Sequence, residues 1–256
     1  MPLFFNRIKC GLPLLGFLAS LFSAACSPSH QEQPTPLLIA AASDLVKVSV
    51  PLGTAFEQAL GAKVTFSFGP SGQLEQQIRH GAPYDVYLPA AQRYGESLHR
   101  DGLVEGEVLV YALGRLVSWS KTLDLNSLSD LREAQVGRIA LANPQYAPYG
   151  LAAQQALQSA GLWQMLQPKL IFAESVSHAF QMAETGNADV ALTALSLIRD
   201  SGRPFLVISQ KLYSPIEQTA VVLRSSQNPQ AAKAFLEFLK GNEAREILEA
   251  YGFGHP

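Results

Sequence analysis

From Leu37 onward, short apolar runs alternate with stretches whose apolar residues recur every three or four positions. "LLIAAA" (37–42) has the length and texture of a buried strand. "LVKVSVPLGTAFEQALG" (45–61) follows with Leu45, Val48, Leu52, Ala55, Phe56 and Ala59 at helical spacing. Pro51 interrupts that pattern and predicts a kink or a late helix start. The rhythm continues with strand "KVTFSF", helix "GQLEQQIRHG" closed by Gly81, strand "YDVYLPA" and helix "QRYGESLHRDG". Strands "GRLVSWS" and "GRIALAN", helix "GLAAQQALQSAGLW", strand "KLIFA", helix "SVSHAFQMAETGN" and strands "ADVALTAL", "PFLVIS" and "QTAVVLR" come next. Two helices, "NPQAAKAFLEFLKG" and "NEAREILEAYGF", close the chain. Alternating strands and helices predict an α/β fold with parallel sheets covered on both faces. The chain is long for one such sheet, and "GRLVSWSKTLDLNSLSD" reads as a fresh start, so two α/β lobes are expected.

The 256 residues are 48% hydrophobic and 16% charged, which is the composition of a packed protein. No block of like charge occurs, and a net charge of −2 gives no surface for nucleic acid.

The N-terminus is a separate object. Arg7 and Lys9 precede the apolar run "CGLPLLGFLASLFSAAC", as in a secretory signal over residues 1–25. Pro13 and Gly16 inside the run, and its shortness against the ~20 residues of a span, argue against a membrane-crossing helix. Two alanines before Cys26 resemble a lipoprotein processing site, though Ser23 departs from the usual aliphatic residue; ordinary signal-peptidase cleavage is the alternative. Either way the product is periplasmic or extracytoplasmic. Both cysteines, Cys10 and Cys26, lie in this segment, so the remaining chain has neither disulfide nor thiolate ligands. Loss of Arg7 and Lys9 leaves 17 basic against 21 acidic residues, a net of −4. Residues 26–36, "CSPSHQEQPTP", read as a tether.

Ligands of open α/β sheets bind beyond the carboxyl ends of strands, where helix N-termini present free N–H groups. Three strand-to-helix turns are rich in small and hydroxyl residues: "AAASDL" at Ser43, "SFGPSGQL" at Ser71, and "ANPQYAPYGLAA", where Gly150 opens a helix. Taken singly, Ser43 reads as a helix cap, and Gly69 and Gly72 as sites of positive φ. Taken together, three turns without Lys or Arg read as a neutral cradle for an oxyanion.

The enzyme reading is weaker. A nucleophile elbow is G-x-S-x-G, but Gly69-Pro70-Ser71-Gly72-Gln73 puts the second glycine one position too early. His80, His99 and His178 lack the context of a catalytic base and the spacing of metal ligands. No P-loop or G-x-G-x-x-G is present. Tyr84, Tyr87, Tyr94 and Phe180 read as core, and Asp85 as a structural residue at a turn and lobe contact.

The ordered set "AAASDL", "FSFGPSGQLEQQIRHGAPYDVYLPAA", "ANPQYAPYGLAAQQALQSAGLW", "KLIFAESVSHAFQMAETGNADVALTALS" and "YSPIEQTAVVL" resembles the molybdate-binding proteins of bacterial ABC transporters over nearly all of 37–253. The resemblance implies a type II periplasmic binding fold with an interlobe ligand cleft. Lobe 1 would take 37–115 and 218–256, and lobe 2 would take 116–217. It implies a monomeric carrier, not an enzyme, with no cofactor. Its ligand would be molybdate or tungstate, and its partners an ABC permease of the inner membrane and its ATPase. Position by position, Ser43 and Ser71 match hydroxyl donors, and Tyr149 and Val176 match backbone N–H donors. Thr193 aligns where some members carry a tyrosine hydroxyl; either it reaches the anion or the cleft dispenses with that contact. Asp44 is expected to offer its N–H and turn its carboxylate away. Alternatives are another oxyanion such as sulfate on the same fold, or a serine hydrolase using Ser71.

Overall fold

A computed structural model describes residues 36–256. The expected export segment, Cys26 and all but the last residue of the tether lie outside the described residues. Within them, no helix is long and apolar enough to cross a membrane.

The first part of the chain runs β1 (Leu37–Ala42), a 3-10 turn (Ser43–Leu45), α1 (Ser49–Leu60), β2 (Val64–Gly69), α2 (Ser71–Arg79), β3 (Val86–Leu88), α3 (Gln92–Arg100) and β4 (Val104–Gly114). Then come β5 (Leu116–Trp119), β6 (Ile139–Ala142), α4 (Pro148–Ser159), α5 (Trp163–Leu166), β7 (Leu170–Ala173), α6 (Val176–Glu184), β8 (Val190–Ala194), α7 (Leu195–Ile198) and β9 (Phe205–Val207). Strand β10 (Ile216–Leu223) leads to α8 (Pro229–Lys240) and α9 (Asn242–Ala250). Pro51 lies in the first turn of α1, where a missing N–H costs nothing, so the helix starts late rather than kinking.

Two five-stranded sheets result, in the orders β2-β1-β3-β10-β4 and β7-β6-β8-β5-β9. The expectation of parallel sheets is corrected here. In each sheet only the first three strands are parallel; β10 is antiparallel to β3 and β4, and β5 is antiparallel to β8 and β9. The antiparallel strands are the ones that carry the chain between sheets: β4 passes directly into β5, and β10 returns. Strand β4 had no strand signature in the sequence, because Glu105-Gly106-Glu107 breaks its apolar run at an edge of the sheet.

Both faces of the first sheet are covered. On one, Phe56 of α1 meets Phe235 of α8 edge-on at 5.0 Å, within a cluster that includes Leu248 and Phe253. The C-terminal helices therefore belong to the first lobe. On the other face Leu74 and Leu98 pack from α2 and α3. The second sheet has its own core around Leu141, Leu157, Leu192 and Ile198. Asp85 is structural, as expected, but it is no lobe contact. Its carboxylate accepts from Leu38 N (2.8 Å), Ser226 Oγ (2.7 Å), Gln227 N (2.9 Å) and Asn228 N (3.1 Å), all in the first lobe.

The register aligns the carboxyl ends of the parallel strands. Ala42 pairs with Gly69 and Ala41 with Leu88 in one sheet; Ala142 pairs with Ala173 and Leu141 with Leu192 in the other. The turns after these strands are therefore gathered at the edges of one interlobe cleft.

Candidate anion-binding site

Four helical starts meet there. The 3-10 turn at Ser43 and α2 at Ser71 come from the first lobe; α4 at Pro148 and α6 at Val176 come from the second. Helix geometry leaves the first-turn N–H groups of Ser71, Tyr149 and Val176 without an intrahelical acceptor, and it puts partial positive charge at each start. Between them lies a small cavity lined by Ala42, Ser43, Asp44, Gly69, Pro70, Ser71, Ala90, Ala147, Pro148, Tyr149 and Val176. The cavity is small, with room for little more than a water-sized group, which is far below what an organic solute needs.

Ser71 is 1% exposed. Its Oγ accepts from Ala90 N at 3.1 Å, which leaves its own proton free to be donated, and its carbonyl accepts from the Tyr87 hydroxyl at 2.6 Å. Neither serine caps its helix: Ala42 and Pro70 hold the N-cap positions, and no side chain caps either start. The Ser43 hydroxyl has no hydrogen-bond partner among the described residues. Ser175 does cap α6, its Oγ accepting from His178 N at 3.1 Å.

Ser43, Ser71, Tyr149 and Val176 are thus brought together. Thr193 is buried behind them, outside the lining; its Oγ1 donates to the Val176 carbonyl at 3.2 Å and steadies the start of α6. His80, His99 and His178 are also outside the lining, so Ser71 has no imidazole base there. Gly69 and Gly72 do not adopt positive φ, which corrects that expectation. A Cβ on Gly72 would sit 3.1 Å from both the Tyr146 carbonyl and the Tyr94 hydroxyl. Gly72 is small because the second lobe presses on it. Gly150 is small because a Cβ would overlap the Ala142 carbonyl at the end of β6.

The lobes are clasped around the cavity. The Tyr146 carbonyl accepts from Gly72 N (2.9 Å) and from the Tyr94 hydroxyl (3.2 Å). On the opposite side Ser196 Oγ donates to the Asp44 carbonyl oxygen at 2.7 Å. The Asp44 side chain runs to β10, where its Oδ2 accepts from Gln218 Nε2 at 2.7 Å. Burial raises its pKa from 3.8 to about 7, although the Tyr149 hydroxyl, its own N–H and the Gln218 amide lower it. Among the described residues no Lys or Arg lines the cavity.

Ala90, Tyr146, Ser196 and Gln218 were not anticipated. Ala90 carried a usable signal, since it ends a strand-to-helix turn of small residues. The others belong to contacts that no local pattern announces. Among the described residues no cluster of His, Cys, Asp or Glu could hold a metal cation.

Two α/β lobes, linked by crossing strands and closed on a cavity of helix N-termini, define a solute-binding protein of the type II periplasmic architecture. Comparison with known proteins agrees. The family model described as bacterial extracellular solute-binding protein matches residues 37–254, and the chain belongs to that family. It is 38% identical to the molybdate-binding protein ModA of Rhodobacter capsulatus, over 85% of this chain and 87% of the relative. It is 35% identical to ModA of Azotobacter vinelandii, over 87% and 91%. The solved structure of the Azotobacter vinelandii periplasmic molybdate-binding protein superposes with a TM-score of 0.82 at 33% identity, covering 86% of this chain and 99% of that one.

Proposed function

We propose that the protein captures molybdate, and tungstate with it, outside the cytoplasm and delivers the anion to an ABC permease driven by its ATPase. The observation that carries this reading is the convergence of four helical starts and two serine hydroxyls on a compact cavity without a cationic side chain. Ser43 and Ser71 donate through hydroxyls, and Tyr149 and Val176 through backbone N–H groups. Directed donors replace the water shell of a tetrahedral dianion, and a protonated oxyanion would set a hydrogen against them. Thr193 supports the ring from behind rather than touching the ligand. The crossings at Gly114–Leu116 and Ile216–Gln218 act as the hinge between residues 37–115 with 218–256 and residues 116–217. Export followed by a lipid anchor at Cys26, or by release as a soluble monomer, fits the same role.

Size selects the ligand. A ring spaced for the longer metal–oxygen bonds of molybdate and tungstate closes poorly on sulfate. Titration calorimetry with molybdate, tungstate, sulfate and phosphate tests this. Saturable heat and a raised melting temperature with the first two are expected. An equal response to sulfate would make the protein a carrier of smaller oxyanions, and silence with all four would refute oxyanion binding.

A further inference from the structure

Asp44 stands where a carboxylate is least welcome. It is fully buried, and it lines a cavity that faces it with no Lys or Arg. Its Oδ2 accepts from Gln218 Nε2 at 2.7 Å, but the other oxygens of the same pair, Asp44 Oδ1 and Gln218 Oε1, are buried and make no hydrogen bond among the described residues, although the Tyr149 hydroxyl lies close enough to the carboxyl to lower its pKa. Both are acceptors, so with an ionised carboxylate neither can satisfy the other. A proton on Oδ1 changes this. The acid and the primary amide then form a cyclic pair, Nε2–H to Oδ2 and Oδ1–H to Oε1, and both orphaned oxygens are used.

The surrounding groups offer the carboxylate no countercharge. From α4 it meets the Tyr149 hydroxyl, and from β4 the field of Tyr111. Burial holds both phenols well above their ordinary range, so they stay neutral. From β10 comes Gln218 and from the start of α7 Ser196, which bonds only to the Asp44 backbone carbonyl. Among the described residues no Lys, Arg or His contributes to the shift of the carboxyl. The one strong charge that could face it is the ligand, and a dianion disfavours a neighbouring carboxylate further.

We propose that Asp44 enters the closed, anion-loaded state as the neutral acid, paired through its own proton to Gln218, so that capture of the oxyanion takes up a proton from solvent. This rests on the cavity holding a doubly charged oxyanion. Asp44 is then a positioning residue: it ties the anion's surroundings to the returning strand β10 without touching the anion.

The test is titration calorimetry of the full protein with sodium molybdate at about pH 8, in buffers of different ionisation heat. Molybdate remains a dianion there, so any proton exchanged belongs to the protein. Uptake approaching one proton is expected, with Kd weakening by about tenfold per pH unit between about pH 7.5 and 9. Asp44→Asn keeps the two-bond pairing with Gln218 and removes the titration. It should abolish both the uptake and the pH slope, and it should bind molybdate more tightly than the wild type at about pH 8.5. Molybdate binding with no proton uptake and a flat Kd in the wild type would overturn the proposal, whether or not the variant folds. Absence of molybdate heat at every pH would instead refute the oxyanion reading, and the proposal with it.

Discussion

Replacing Ser71 and Ser43 in turn by alanine separates a hydroxyl that binds from one that also builds. Ser71 Oγ accepts from Ala90 N at 3.1 Å inside the protein. Ser71→Ala strands that buried donor, at a cost of about 1–3 kcal/mol to the empty protein. In the proposed role it also deletes a charge-assisted hydrogen bond to the anion, worth about 1.5–3 kcal/mol, or roughly 10- to 150-fold in Kd. Ser43 is as buried but has no internal partner among the described residues, so Ser43→Ala should leave the empty protein within about 0.5 kcal/mol of the wild type or slightly more stable. Its affinity should fall by the same factor as that of Ser71→Ala. Urea unfolding without anion measures the first quantity, and molybdate titration measures the second. Equal destabilisation by the two substitutions would refute the assigned hydroxyl bonding. Unchanged affinity in both would remove the serines from the ligand ring.

Asp44→Asn carries a stability prediction independent of ligand. The folded carboxyl is raised from 3.8 to about 7, so the wild type has its full stability from this group below about pH 4 and loses it as pH rises through 7. A carboxyl moved from 3.8 to about 7 corresponds to roughly 4 kcal/mol. Asp44→Asn should therefore be more stable than the wild type by up to that amount at about pH 8, with the difference fading at about pH 4; a gap independent of pH would contradict the burial argument. Gly150→Ala forces a Cβ into the Ala142 carbonyl and should cost about 3 kcal/mol or more with loss of binding; a wild-type melting temperature would show that the close approach is dispensable. Gly72→Ala keeps its N–H but pushes against Tyr146 and Tyr94. It should speed molybdate release in stopped-flow measurements while changing the stability of the empty protein by less than about 1 kcal/mol, and an unaltered release rate would count against the clasp.

What could be read from the sequence was local. Ser43, Ser71 and the Tyr149-Gly150 pair each sit at a strand-to-helix turn, and a turn writes its signature in a few adjacent residues; Val176 came only from the resemblance. The polarity of the sheets was not local: β5 and β10 look like any other strand, and their antiparallel pairing follows from crossings between lobes. Thr193 shows the limit of position matching, since it occupies the aligned place in β8 but is spent on the Val176 carbonyl. Gln218 lies 174 residues from Asp44, and nothing in "IEQTAVVL" marks its amide as the partner of a buried acid.

That separation bears on how such a site works. The groups aimed into the cavity are neutral and borne on rigid helical starts, so the anion feels fixed dipoles rather than mobile cations. Asp44 is in the lining, and its carboxyl is attached, through Gln218, to the strand that carries the chain back to the first lobe. Ser196, at the start of α7 in the second lobe, bonds to the same residue's carbonyl. Asp44 thus touches the cavity wall, the crossing strand and the opposite lobe at once. In the proposed role, a dianion in the cavity acts on its carboxyl, and protonation of that carboxyl changes its bond to the crossing strand. Binding and closure therefore share one residue, and an uncharged Asn there should loosen the link between pH and closure without loosening the donors that hold the anion.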